Sequence, residues 1–197
     1  MTKKDQMKEI RDRVWNLTES PLYEYRTQNK YYPVIGEGNH DASIVFIGEA
    51  PGKNEAMTGK PFCGASGRLL SEMLASISLN REDVYITNIV KDRPPENRDP
   101  SPAEIQLYAP FLDEQIKIIR PKVIATLGRF SMKYVLEHFG AKEADLPISL
   151  LHGKIIPITA PYGKITVLPL YHPAVAIYNQ HSKQTLLDDF QLLKKFL

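Results

Sequence analysis

Four short apolar runs constrain the fold more than anything else in this chain. They occupy residues 43–48, 84–90, 122–127 and 165–170, and each is rich in Val, Ile and Leu. The first, Ser43-Ile44-Val45-Phe46-Ile47-Gly48, is apolar without alternation and is stopped by glycine, which marks a buried strand. Segments with helical spacing at 67–77, 102–119 and 130–138 follow the first, second and third runs in turn. Short buried strands alternating with helices predict an α/β protein, a three-layer α/β/α arrangement around a mostly parallel, four-stranded, doubly wound sheet. Residues 155–158, just before Pro161-Tyr162-Gly163, are placed to pair with the fourth run as a hairpin. At the start, Met7, Ile10, Val14 and Leu17 recur at helical spacing among charges, so residues 2–17 read as an amphipathic helix docked on the core. No repeat, low-complexity tract or linker interrupts the chain, and 197 residues with 43% hydrophobic content suffice for one domain spanning 1–197.

Sheets of this kind bind ligands beyond the carboxyl ends of their strands. The first run ends in Gly48-Glu49-Ala50-Pro51-Gly52, the second near Asn88, and the fourth leads into Tyr171-His172-Pro173. One rim therefore receives a carboxylate, an amide and an imidazole. The formal net charge is +2, so no global field announces a polyanion, and any such contact falls to local basic patches. The single Cys63 forms neither an internal disulfide nor a thiolate metal cluster, which suits a reducing compartment. No apolar run reaches membrane-spanning length and residues 1–16 are charged rather than signal-like, so the expectation is a soluble, cytoplasmic protein.

Read together, the rim residues resemble a known family. Gly48-Glu49-Ala50-Pro51-Gly52, then Glu55, Gly59-Lys60-Pro61-Phe62, Gly64 and Gly67-Arg68-Leu69-Leu70, is similar to the first motif of the family 4 uracil-DNA glycosylases. Asn88-Ile89-Val90-Lys91 with Arg93-Pro94-Pro95 and Asn97-Arg98 matches a second block, while Leu127-Gly128-Arg129 and His172-Pro173-Ala174 match later ones. Any one fragment is weak, and the Gly48 to Gly52 turn alone is an ordinary strand-to-helix connection. The ordered set is far more specific.

The resemblance implies hydrolysis of the N-glycosidic bond of uracil in DNA, leaving an abasic site, with the base flipped out of the helix, and a monomer is expected because the crevice must stay open to DNA. It implies that Glu49, Asn88 and His172 are catalytic: Glu49 near the sugar with the attacking water, Asn88 reading the uracil edge, His172 donating to O2. Gly48, Ala50 and Gly52 would shape the base pocket, Phe62 would stack on the base, and Glu55 would crowd C5 against thymine's methyl group. Ala50 stands where other glycosylase families place an aspartate base, so preorganised electrostatics must supply much of the catalysis. Lys91, Arg93, Arg98, Arg129, Lys133, His152 and Lys154 are candidates for phosphate contact. Within residues 174–178, Val175 and Ile177 are candidates for a wedge into the gap left by the base.

The chain departs from that family's pattern at Cys63, where the family usually has valine, and above all at four cysteine positions. Family 4 enzymes hold an iron-sulfur cluster on four cysteines, and the equivalent positions here are Leu17, Ser20, Asp92 and Tyr108. The sequence thus denies the cluster, and no cofactor is expected. Leu17 and Tyr108 would replace it by packing, with Ser20 and Asp92 hydrogen-bonded nearby. Two other readings stay open: a glycosylase for another deaminated base such as hypoxanthine, and a catalytically silent DNA-binding module.

Overall fold

The computed structural model describes residues 1–177 and 179–197. The chain opens with α1 (Lys3–Trp15) and the short α2 (Tyr23–Gln28), then β1 (Glu37–Gly38) and β2 (Ile44–Gly48). Helices α3 (Lys53–Thr58) and α4 (Ala65–Ser76) lead to β3 (Tyr85–Asn88), and α5 (Pro102–Ile119) leads to β4 (Val123–Leu127). The remainder is α6 (Arg129–His138), α7 (Ile148–Leu151), the hairpin β5 (Ile156–Ala160) and β6 (Gly163–Leu170), and α8 (Gln180–Gln191).

The sheet has six strands in the order β1-β3-β2-β4-β6-β5, not the four of the sequence reading. The four expected strands form its parallel centre, while β1 and β5 pair antiparallel at the two edges. β1 escapes sequence detection because it is two residues long. The 155–158 run does pair with β6, from Ile156 to Ala160, across a two-residue turn at Pro161 and Tyr162.

Both faces of the sheet are covered. In β2, Val45 and Ile47 point to one side, where α1, α5 and α6 supply Ile10, Leu112 and Val135. Ile44 and Phe46 point to the other, where α4 and α8 supply Leu70, Leu74 and Phe190. Phe46 and Phe190 stack at 5.6 Å between ring centroids. Each such fully buried side chain contributes about 1.5–3 kcal/mol, so the three-layer arrangement rests on this period-two division of the strands. The helix ends are set by local chemistry. Thr2 caps α1 in a reciprocal box with Asp5, and Ser101 caps α5 in the same way with Glu104, with Pro102 in the first turn. No helix among the described residues is long and apolar enough to cross a membrane.

The chain leaves β2 for β3 on one side, then returns through α5 to β4 on the other. The carboxyl end of β2 is therefore a topological switch point, where a crevice opens between diverging connections.

Candidate active site

A cavity of about 520 Å³ sits at that switch point, lined by Glu49, Ala50, Gly52, Glu55, Phe62, Ser66, Asn88, Asn97, Asp99, His172 and Ala174. β2 delivers Glu49, β3 ends on Asn88, and β6 runs into His172 at the start of a 3-10 turn over Pro173–Ala176. Seven residues expected from sequence are thus brought together. Gly48 lies beneath them: a Cβ there would overlap the Asn88 carboxamide oxygen and reach within 2.7 Å of Phe62 Cζ. Only glycine lets those two side chains meet over the end of β2.

Asn88 is 2% exposed, and its Oδ1 has no hydrogen-bond partner among the described residues. A buried, unpaired acceptor costs about 1–3 kcal/mol, so this oxygen is ready for an incoming N–H. His172 Nδ1 accepts from the Ala174 N–H at 3.2 Å, and burial lowers its pKa, opposed by the nearby Glu55. The imidazole is thereby held neutral with its proton on Nε2, a donor. The Phe62 and His172 rings lie 5.7 Å apart at 33°. Burial, then the charge of Asp99, pushes the Glu49 carboxyl up to about 7, while Arg129 opposes the rise.

Glu55 does more than line the wall. Its Oε1 accepts from the backbone N–H of Cys63 at 3.0 Å and of Gly64 at 3.1 Å, tying down the loop that presents Phe62. Arg81 completes this frame by donating to Phe62 O at 3.1 Å and Pro61 O at 2.7 Å. Phe62 itself sits at φ +48°, an uncommon backbone for an aromatic residue, held by these bonds on both sides. Arg81, Asp99 and Ser66 escape the sequence reading, and Asn97 enters it only as part of a motif, without a place in the site. Asp99 follows Arg98 directly, which is a usable signal; Arg81 is distant in sequence and offers none.

The basic candidates fare unevenly. Lys91 is not on the surface: it is fully buried, its pKa is drawn down to about 7 by burial, and it bonds Thr87, Asn88 and Gln115. It cannot touch a phosphate, because its ammonium is buried against Thr87, the Asn88 carbonyl and Gln115. Arg93 lies against the rings of Tyr25 and Tyr31 and donates to both hydroxyls at 3.0 Å. Arg98 is paired with Glu104 at 2.6 Å, Arg129 with Asp99 at 3.1 Å, Lys133 with Glu137 at 3.6 Å and His152 with Asp189 at 2.8 Å. Lys154 is exposed. Val175 is 42% exposed on the turn after His172, whereas Ile177 is half-buried; Tyr178, the end of that stretch, lies outside the described residues.

The positions of the family's cluster cysteines do come together, but not as ligands. Tyr108 OH donates to Asp92 Oδ2 at 2.6 Å and receives the Ser20 hydroxyl at 2.7 Å. Arg26 donates to Asp92 Oδ1 at 3.3 Å and to the carbonyls of Val14 and Trp15, and Leu17 packs into the adjoining core. One carboxylate and no thiolate cannot hold an iron-sulfur cluster, and the phenol ring fills the space. No other group of metal-binding side chains occurs among the described residues.

Comparison with known proteins agrees with this architecture. The model of the uracil DNA glycosylase superfamily matches residues 35–194. A type-4 uracil-DNA glycosylase of Sulfurisphaera tokodaii is 42% identical over 97% of this chain and 84% of its own. The corresponding enzyme of Archaeoglobus fulgidus is 44% identical over 85% of this chain and 82% of its own. That of Thermotoga maritima is 39% identical, covering 100% of this chain and 97% of its own. With a rim built from the ends of β2, β3 and β6 and a family model that spans most of the sequence, the chain belongs to the uracil-DNA glycosylase superfamily.

Proposed function

We propose that this protein is a monofunctional uracil-DNA glycosylase, which hydrolyses the bond between uracil and its deoxyribose and leaves an abasic site for base excision repair. The observation that carries the reading is the pairing, in one cavity, of the unpartnered Asn88 Oδ1 with the neutral His172 imidazole. Uracil needs one acceptor for N3–H and donors for its two carbonyls; the Asn88 carboxamide supplies the acceptor and one donor, and His172 Nε2–H the other.

As the glycosidic bond breaks, negative charge gathers on the base and positive charge on the sugar. His172 Nε2–H donates to O2 as that oxygen gains charge, so its bond strengthens towards the transition state. Glu49, ionised, orients the attacking water and faces the cationic sugar. Phe62 stacks on the flat base irrespective of its edge, and Ala50 and Gly52 leave room for it. Arg93, Arg98, Arg129, His152 and Lys154 form the rim that meets phosphates, with Val175 as the side chain that enters the vacated stack. The protein acts as a single domain, 1–197, and as a monomer in the cytoplasm, since the crevice must stay open to a DNA strand.

Oligonucleotides carrying uracil or hypoxanthine, followed by alkali to reveal abasic sites, test this reading. Cleavage at uracil, reduced about a hundred- to a thousandfold in His172→Ala, is expected. Cleavage at hypoxanthine alone would reassign the substrate, and no cleavage of either would leave a binding module.

A further inference from the structure

Lys91 is fully buried, and its ammonium contacts no carboxylate among the described residues. Instead Nζ donates to Thr87 Oγ1 at 2.8 Å, to the Asn88 carbonyl at 2.7 Å and to Gln115 Oε1 at 2.6 Å, which uses all of its protons. Those acceptors are themselves fixed. Thr87 donates to Ile35 O at 2.7 Å, and Gln115 donates to Ile35 O and to Tyr85 OH, each at 3.0 Å. A buried ammonium with only neutral partners is unfavourable, and an apolar side chain of similar volume would serve the packing better.

What the cation does gain is a grip on the peptide that carries the base-reading side chain. The Asn88–Ile89 peptide accepts from Lys91 at its oxygen, while its N–H donates to Gly48 O at 3.1 Å. The next N–H, of Val90, donates to Glu49 O at 3.0 Å. A cation on the carbonyl strengthens the hydrogen bond made by the same peptide's N–H. Since Asn88 Oδ1 has no partner among the described residues, its carboxamide takes its aim from the backbone beneath it.

We propose that Lys91 is a positioning residue for base recognition: its ammonium fixes the Asn88–Ile89 peptide, and through it the Gly48-Glu49 turn, so that amide and carboxylate reach base and sugar in one register. The proposal rests on the reading in which Asn88 faces the base.

The test compares Lys91→Met, Asn88→Ala and the double variant, each checked for folding by circular dichroism and thermal melting. Two readouts are used: single-turnover excision of uracil, and affinity for DNA containing a stable abasic analogue, which has no base for Asn88 to read. Lys91→Met is expected to slow excision by about 10- to 100-fold, the scale of a displaced catalytic contact, with abasic-DNA affinity unchanged. Added to Asn88→Ala, it should cost clearly less than it does alone, because the part exerted through the Asn88 amide is already lost and only the part exerted through the Gly48-Glu49 turn is left. If Lys91→Met does not fold, Lys91→Gln, shorter by one bond but still able to meet Thr87 and Gln115, carries the same comparison. A folded Lys91 variant that excises at the parental rate, or whose loss adds fully to that of Asn88→Ala, overturns the proposal. So does failure of both Lys91 variants to fold while Asn88→Ala folds, which would assign the lysine to the core alone. Parental excision by Asn88→Ala would instead overturn the reading of Asn88, and this proposal with it.

Discussion

Glu49 is half-buried with Asp99 close by, and both features favour its protonated form, against the pull of Arg129. In the proposed mechanism its carboxyl, displaced to about 7, must be ionised to orient water, so excision is expected to fall as pH drops through that value. The same displacement has a stability consequence of definite sign. The folded state binds the proton more tightly than the unfolded chain, whose carboxyl titrates at 4.5, so stability declines as pH rises from 4.5 to about 7 and is level above. Glu49→Gln should therefore abolish the acid limb of the rate profile along with most activity. At pH 8 it should raise stability by on the order of 1 kcal/mol after screening, and at pH 4 by nothing. Single-turnover rates and urea titrations at the two pH values check this; a variant as unstable at pH 8 as its parent would show that Glu49 is not strained there. Glu55, by contrast, spends its Oε1 on two backbone N–H groups, so its removal would loosen the loop that carries Phe62 as well as open the cavity wall.

That loop, between α3 and α4, shows how an element too short to have its own core is made rigid. Arg81 grips it from beyond α4, Glu55 grips it from α3, and Gly67 lets α4 pass against the Phe62 carbonyl, where any Cβ would collide with backbone. Arg81→Ala removes two charge-assisted bonds that lie outside the pocket. It should lower kcat/KM about tenfold by loosening Phe62, with unfolding free energy reduced by about 1–3 kcal/mol; an unaltered kcat/KM would mean that Glu55 alone suffices. Elements of this kind mark the limit of what the sequence discloses. The strands β2, β3, β4 and β6 were legible because burial on both faces leaves unbroken apolar runs, and α5 because Ser101, Pro102 and Glu104 announce its start. Helices α2, α3 and α7, of six residues or fewer, hold too few apolar positions to show a period, and α8 buries only Leu186, Asp189 and Phe190. Asn88 and His172 could be placed at strand ends by counting along runs. Lys91 could not, because whether a lysine after a strand points to solvent or under the sheet depends on Thr87 and Gln115, which are brought to it only by the fold.

Across the whole molecule, the first thirty residues are an arm that the sheet does not include. α1 packs on α5 through Met7, Ile10 and Val14, and the arm is pinned again where Arg26 and Ser20 meet Asp92 and Tyr108. Burial raises the Asp92 carboxyl, opposed by Tyr108 and Arg26, so the site is stable only while its partners are in place. Tyr108→Phe leaves Asp92 and Ser20 each short of a partner and should lower unfolding free energy by about 1–3 kcal/mol in urea titration. An unchanged midpoint would show that shape, not hydrogen bonding, fills this position. Asp92 follows Lys91 directly, and the Lys91 carbonyl takes the Val34 N–H at 2.7 Å. Through these bonds the arm is tied to residues 88–91, so in native-state hydrogen exchange the amides of α2 and those of residues 88–91 are expected to open together, as a single foldon; on the proposed reading of Asn88, a protein whose arm has detached would lose its sense of which base it holds.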